Sequence, residues 1–167
     1  IIRRDYTALQ LAKSLVNWNG KNILTTGVSM GAWQSVLMAA LDDKVNNTEI
    51  AIPWMCQVGA AQNGCIYSWH PVYDAGLPYF STVTAARIIN ERVENGNTAY
   101  NMNIEFAGMA DYSASAPLGV MALYNALSSD KAGASVTFYQ FGDHGGTQTT
   151  QGTLRFKSVR EKKSTVQ

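Results

Sequence analysis

The chain has 167 residues, enough for one domain with a sizeable core. Apolar residues make up 46%, charged residues 15% and the formal net charge is +1, a globular balance with no basic or acidic surface suited to nucleic acid or to an anionic membrane. No apolar run reaches the roughly 18 residues of a spanning helix, and no charged, apolar, small-residue signal segment opens the chain.

Tyr6, Leu9, Ala12 and Leu15/Val16 recur at helical spacing and predict a helix over 4–18, stopped at Asn19-Gly20. Ile23, Leu24, Thr25 and Thr26 suit a short buried strand over 21–26. Gly27-Val28-Ser29-Met30-Gly31 follows, and residues 32–41, rich in Ala, Leu and Met, read as a helix. A second apolar strand covers 48–52 and is ended by Pro53. Residues 54–81 show no clean period and hold six aromatic residues among Gly and Pro (Trp54, Tyr67, Trp69, Tyr73, Tyr79 and Phe80). This stretch reads as a long irregular insertion, a kind of segment that is usually functional when ordered.

A helix over 82–93 comes next and is broken at 94–97, before a third strand over 101–107. Residues 116–128 read as a helix that tolerates Pro117 in its first turn, and 135–141 as a fourth strand. The basic tail from Arg155 suits a closing helix. Strands alternating with helices imply an α/β fold, a parallel sheet covered by helices on both faces. There is no internal repeat and no low-complexity block.

Cys56 and Cys65 are separated by eight residues within the irregular stretch. A metal site would need two further ligands nearby, and His70 is the only histidine in reach, so no metal is expected. The pair suits a short disulfide loop in an exported protein as well as two thiols packed near a core. Cysteine number does not fix the compartment; a secreted or periplasmic one is the working expectation.

Gly27-Val28-Ser29-Met30-Gly31 matches G-x-S-x-G between an apolar strand and a helix. In that context the pattern describes a nucleophile elbow: a sharp turn strains the middle residue and lifts its side chain clear of the sheet. Small flanking residues avoid a clash of Cβ with neighbouring backbone. The chain has two histidines. His144, flanked by glycines after the fourth strand, stands where a base for Ser29 is needed. His70, before Pro71, suits a structural or substrate-lining role. Asp111, just beyond the third strand, is the candidate carboxylate that orients His144, and Asp143 ranks below it because adjacent residues rarely face each other. The order Ser, Asp, His is that of α/β-hydrolases. The Met30 backbone N–H, at a helix N-terminus, is the expected oxyanion donor. The aromatic residues of the insertion, chiefly Trp54, Trp69 and Tyr79, are candidates to line the pocket or stack on a sugar ring, with ordinary packing as the alternative for each.

Three segments together resemble the acetyl xylan esterase and cephalosporin-C deacetylase family. They are residues 18–41 with Thr26-Gly27-Val28-Ser29-Met30-Gly31-Ala32, residues 79–88, and Gly108-Met109-Ala110-Asp111-Tyr112 with the following helix through Asn125. The resemblance covers roughly 3–146. It implies a Ser29, Asp111, His144 triad that removes small acyl groups, chiefly acetyl, from sugars without metal or organic cofactor. The chain departs from the family in having Val28, Met30 and Gly31-Ala32 where Gly, Gln and Gly-Gly are usual, and Ala114-Ser115-Ala116-Pro117 where a Cys-Pro-Pro run is frequent. Family members carry a long N-terminal half with the first strands and a second oxyanion donor. Residues 1–167 are accordingly expected to be the C-terminal catalytic part of one α/β-hydrolase domain, with that N-terminal half as partner. A homo-oligomer is compatible with this reading. Two rivals stand beside it: a serine peptidase of the prolyl-oligopeptidase type, and a non-catalytic interaction protein that keeps the fold.

Overall fold

A computed structural model describes residues 1–54, 56, 77–96, 99–111, 116–127, 132–140 and 142–144. Its elements in chain order are α1 (Ile2–Lys13), β1 (Ile23–Val28), α2 (Met30–Leu41), β2 (Val45–Ala51) and the single turn α3 (Leu77–Phe80). Then come α4 (Thr82–Asn95), β3 (Tyr100–Gly108), α5 (Pro117–Ala126) and β4 (Ala132–Tyr139). The four strands form one parallel sheet in the order β1-β2-β3-β4. This is the parallel α/β sheet that the alternation in the sequence predicts, and among the described residues α1, α2, α4 and α5 all join the one main core. Because all strands run the same way, their carboxyl ends share one edge of the sheet, where ligands bind in open α/β folds.

The main core joins Val45, Ile50, Met102 and Ile104 of the sheet to Val36, Ile89 and Leu123 of the helices. A smaller cluster of Ala51, Ile52 and Phe106, with Tyr139 against it, forms separately. Ala51 and Phe106 alternate with Ile50 and Ala107 of the main core, so the small cluster occupies the other face, at the carboxyl ends. The register explains how Phe106 gets there. Ile50 pairs with Ile104 but Ala51 with Phe106, and Ile104 pairs with Val136 but Ala107 with Phe138. β3 therefore has one more residue than either neighbour at this point, a bulge beside the strand end.

Three boundaries differ from the sequence expectation by three residues or more. The first helix stops at Lys13 instead of 18, because the Ser14 hydroxyl turns back onto the Leu11 carbonyl at 2.7 Å. Leu15 and Val16, read as part of its apolar face, are exposed. β2 begins at Val45, three residues early; polar Asn47 pairs with both Leu24 and Asn101, and Asn46 is the extra residue where the register with β1 shifts. β4 likewise begins early, at Ala132. Most of the expected insertion over 54–81 lies outside the described residues, as do Trp69, His70, Cys65 and the tail.

α4 ties the helices together. Its N-cap Ser81 accepts a hydrogen bond from the Val83 N–H at 3.3 Å. Arg92 donates to the Ala39 carbonyl and Asn90 to the Ala126 carbonyl, which satisfies acceptors in the last turns of α2 and α5. Cys56 is buried and unpaired as a thiol; it accepts from the Thr82 hydroxyl at 2.9 Å, and burial pushes its pKa up to about 12. Among the described residues, no helix is long and apolar enough to cross a membrane.

α1 is anchored on α2 through the buried Asp42. Its carboxylate accepts from Lys13 Nζ at 2.7 Å, from Gln10 Nε2 at 3.0 Å and from the Lys44 N–H at 3.0 Å. Burial alone would raise its pKa, but these donors outweigh that effect and hold it below its ordinary 3.8. The ionised group thus stabilises the fold above about pH 4, and the contribution is lost as pH falls through the lowered folded value. Asp42→Asn should cost about 1–3 kcal/mol near neutral pH and little in strong acid. Thermal melts of both proteins at pH 7 and pH 3 measure the difference.

Candidate active site

Ser29 follows β1 directly and is the N-cap residue of α2, with φ 55° and ψ −115°. A non-glycine residue in that region is strained and persists only where its surroundings fix it. Here the Ser29 N–H donates to the Ala51 carbonyl of β2 at 3.0 Å, and the Ser29 carbonyl accepts from Trp33 N–H at 3.1 Å. Its hydroxyl does not cap the helix, which leaves it available for other partners. A Cβ at Gly27 would stand 2.3 Å from the Gly31 carbonyl, so strand and helix meet at a distance only glycine allows. A Cβ at Gly31 meets nothing within 4 Å, contrary to the expectation that both flanks of the elbow are crowded.

The loops after β3 and β4 are bound to each other. Met109 N–H donates to the Tyr139 carbonyl at 2.9 Å, Ala110 N–H to the Gly142 carbonyl at 3.0 Å, and Gly142 N–H to the Tyr139 carbonyl at 3.1 Å. A Cβ at Gly108 would lie 2.3 Å from the Gly142 carbonyl group, and one at Gly142 would lie 2.8 Å from the Phe106 ring. Asp111 and His144 project from this seam.

Ser29 Oγ lies 2.8 Å from His144 Nε2, and His144 Nδ1 lies 2.7 Å from Asp111 Oδ2. A carboxylate can only accept, so Nδ1 carries the proton and Nε2 is left to accept from the Ser29 hydroxyl. Asp111 is 2% exposed, so its charge acts through little solvent, whereas the His144 side chain is 35% exposed and open on one side. The three residues read from the sequence as nucleophile, acid and base are brought together. Asp143, the weaker carboxylate candidate, is exposed, and it is Asp111 that meets Nδ1.

Met30 opens α2, so its N–H has no partner within the helix and sits at the positive end of the helix dipole. Its position beside Ser29 suits a developing oxyanion. Trp54, expected to line a pocket, is 1% exposed and meets Trp33 edge-on, with centroids 5.5 Å apart. It packs in the core. Tyr79 is 78% exposed. Trp69 lies outside the described residues. Among the described residues, no group of three or more His, Cys, Asp or Glu side chains is placed to hold a metal ion.

Sequence reasoning passed over the parts that hold the site. Ile52 looked like the end of a strand, and its φ of 40° has no signature beyond the Pro53 that follows. Gly108 and Gly142 each stand at a strand end, the one visible sign of their close approach.

No family model and no curated protein sequence matches the chain. Solved structures do. An acetyl xylan esterase from Paenibacillus sp. R4 superposes with a TM-score of 0.71 at 18% identity, over 95% of this chain and 51% of its own. Acetyl xylan esterase 1 from Thermoanaerobacterium sp. JW/SL YS485 gives 0.72 at 16% identity, over 96% of this chain and 52% of its own. The fold is that of an α/β-hydrolase. An acylaminoacyl peptidase from Pyrococcus horikoshii shares it, with a TM-score of 0.60 at 13% identity over 92% of this chain and 24% of its own. The chain therefore spans about half the length of these esterases and about a quarter of the peptidase.

The glycines give a graded test. Gly27→Ala and Gly108→Ala each force backbone apart by roughly an ångström, a displacement that can cost about 100-fold in rate. Both should lower kcat at least that far and depress the melting temperature, whereas Gly31→Ala should stay near wild type. Steady-state kinetics and melts of the three variants distinguish these outcomes.

Proposed function

We propose that the chain is the C-terminal catalytic part of a serine ester hydrolase that removes small acyl groups, chiefly acetyl, from sugars such as xylan-type oligosaccharides. The observation that carries this reading is the unbroken hydrogen-bond relay from Ser29 through His144 to Asp111. Ser29 Oγ attacks the ester carbonyl while His144 Nε2 takes its proton. Asp111 holds the tautomer and stabilises the imidazolium. The Met30 N–H stabilises the oxyanion. His144 then returns the proton to the leaving alcohol, and a water activated by the same imidazole hydrolyses the acyl-enzyme. These steps need no metal or organic cofactor.

A peptidase acting on acylated or short peptides is the second reading, supported by the likeness to the acylaminoacyl peptidase. The two differ in leaving group, an alcohol in one case and an amine in the other. In the complete protein, a p-nitrophenyl ester series should show acetate preferred over butyrate and longer chains, because a pocket shaped for acetyl gains nothing from methylenes it cannot bury. Acyl-peptide anilides should be poor substrates, and their preference over esters would move the reading to the peptidase. Asp111→Asn should keep the fold and cost about 10⁴ in kcat by favouring the wrong tautomer. Asp143→Asn should cost far less, and equal losses would remove the assignment of Asp111.

The same reading gives the chain a partner. β1 is the outer strand of the described sheet, and Leu24 and Val28 on it are exposed. A parallel strand edge of this kind pairs or aggregates. The N-terminal half of the domain would cover it and supply the second oxyanion donor. Residues 1–167 expressed alone should be poorly soluble or inactive, and co-expression of that half should restore activity. A monomeric, cooperatively melting, active 167-residue protein would refute this arrangement.

A further inference from the structure

The described residues include two non-glycine positions with positive φ, Ser29 and Ile52. The first is explained by the elbow. The second is costlier in kind, since a β-branched side chain is a genuine outlier there. Ile52 is also buried and precedes a proline, which further disfavours helical backbone. Strain of this sort persists only where the surroundings over-determine it, and it clusters at functional sites.

The surroundings of Ile52 point in one direction. The peptide unit joining Ala51 to Ile52 bridges both flanking strands: its carbonyl accepts from Ser29 N–H at 3.0 Å, and its N–H donates to the Phe106 carbonyl at 2.7 Å. The Ile52 side chain belongs to the small cluster with Ala51 and Phe106. Phe106 meets Tyr139 with ring centroids 5.0 Å apart, and Gly142 is seated against the Phe106 ring so closely that a Cβ would fall 2.8 Å from it. Two residues beyond Gly142 is His144. Ile52 is thus joined to Ser29 through backbone and to His144 through the Phe106 ring and Gly142.

We propose that Ile52 is a positioning residue for the reaction: held in a left-handed conformation, it keeps its side chain beneath Phe106 and so fixes the height at which Gly142 presents His144 to Ser29. The inference rests on the Ser29, His144, Asp111 reading. Its cause is separable from general stability, because the conformation and the side chain have opposite effects. Removing the side chain should disturb His144, whereas removing Cβ altogether relieves the backbone.

The test compares Ile52→Val, Ile52→Ala and Ile52→Gly in the complete protein. Ile52→Ala should lower kcat for p-nitrophenyl acetate by about 10- to 100-fold with KM changed less than about twofold, since it displaces a reacting group without touching substrate. Ile52→Val should retain most of the activity. Ile52→Gly should melt at or above Ile52→Ala yet be no more active. If Ile52→Ala does not fold, Ile52→Gly against wild type serves for the same comparison of kcat with KM. A wild-type kcat in Ile52→Ala, or activity that rises with stability from Ala to Gly, overturns the proposal. A fluorophosphonate probe separates this failure from that of the underlying reading: if wild-type Ser29 is not labelled, the triad itself is wrong, whereas labelling of wild type and Ile52→Ala at equal rates removes only the role of Ile52.

Discussion

Asp111 and His144 follow different strands, and the contact that makes them one unit is backbone against backbone at Gly108 and Gly142. Two hydrogen bonds, from Met109 N–H to the Tyr139 carbonyl and from Ala110 N–H to the Gly142 carbonyl, sew the segments after β3 and β4 together, and the Gly108–Gly142 approach leaves no room for a Cβ between them. The 2.7 Å bond between His144 and Asp111 follows from that seam, since each residue lies within three positions of it. The Ser29 hydroxyl then needs only to rise to the right height beside them. A sheet in sequential parallel order supplies this, because it brings the ends of β1, β3 and β4 to the same edge.

The elbow and the seam are stiff for different reasons. At Ser29 the backbone is strained, and its bond to Ala51 and the close Gly27–Gly31 approach keep it from relaxing. At the seam two backbone segments are crowded against each other. The β3 bulge joins the two regions by turning Phe106 to the face opposite the main core, where it touches the cluster that includes Ile52. An extra residue in one strand thereby gives a second, small core to a place that the large core does not reach.

The sequence singled out three residues that the structure brings within hydrogen-bonding distance, while the architecture around them was less legible. Ser29, Asp111 and His144 were readable because each follows a recognisable strand and the chain order is restrictive. Helix and strand types were also legible from their periods, and the errors fell at ends. Leu15 and Val16 fit the helical period, but a Ser14 hydroxyl and a lack of anything to pack against ended the helix first. Asn47 looks like a loop residue in isolation, and pairing with two neighbouring strands overrules that preference. Trp54 stood open between lining a pocket and ordinary packing because nothing in a linear sequence tells which ring will find another, and it found Trp33. The bulge, the Ile52 conformation and the Gly108–Gly142 approach depend on register between strands far apart in sequence, and no local pattern encodes register.

Cys56 bears on chemical selectivity. A thiol whose pKa is near 12 is ionised in only about one molecule in 10⁵ at neutral pH. Thiolate is the form that competes with an activated serine for carbon and phosphorus electrophiles. With its sulfur buried and already bonded to the Thr82 hydroxyl, Cys56 is a silent bystander to reagents that discriminate poorly between oxygen and sulfur nucleophiles. Ser29 Oγ, on the sheet edge with His144 Nε2 at 2.8 Å, faces no rival from that quarter for an acyl or phosphonyl group.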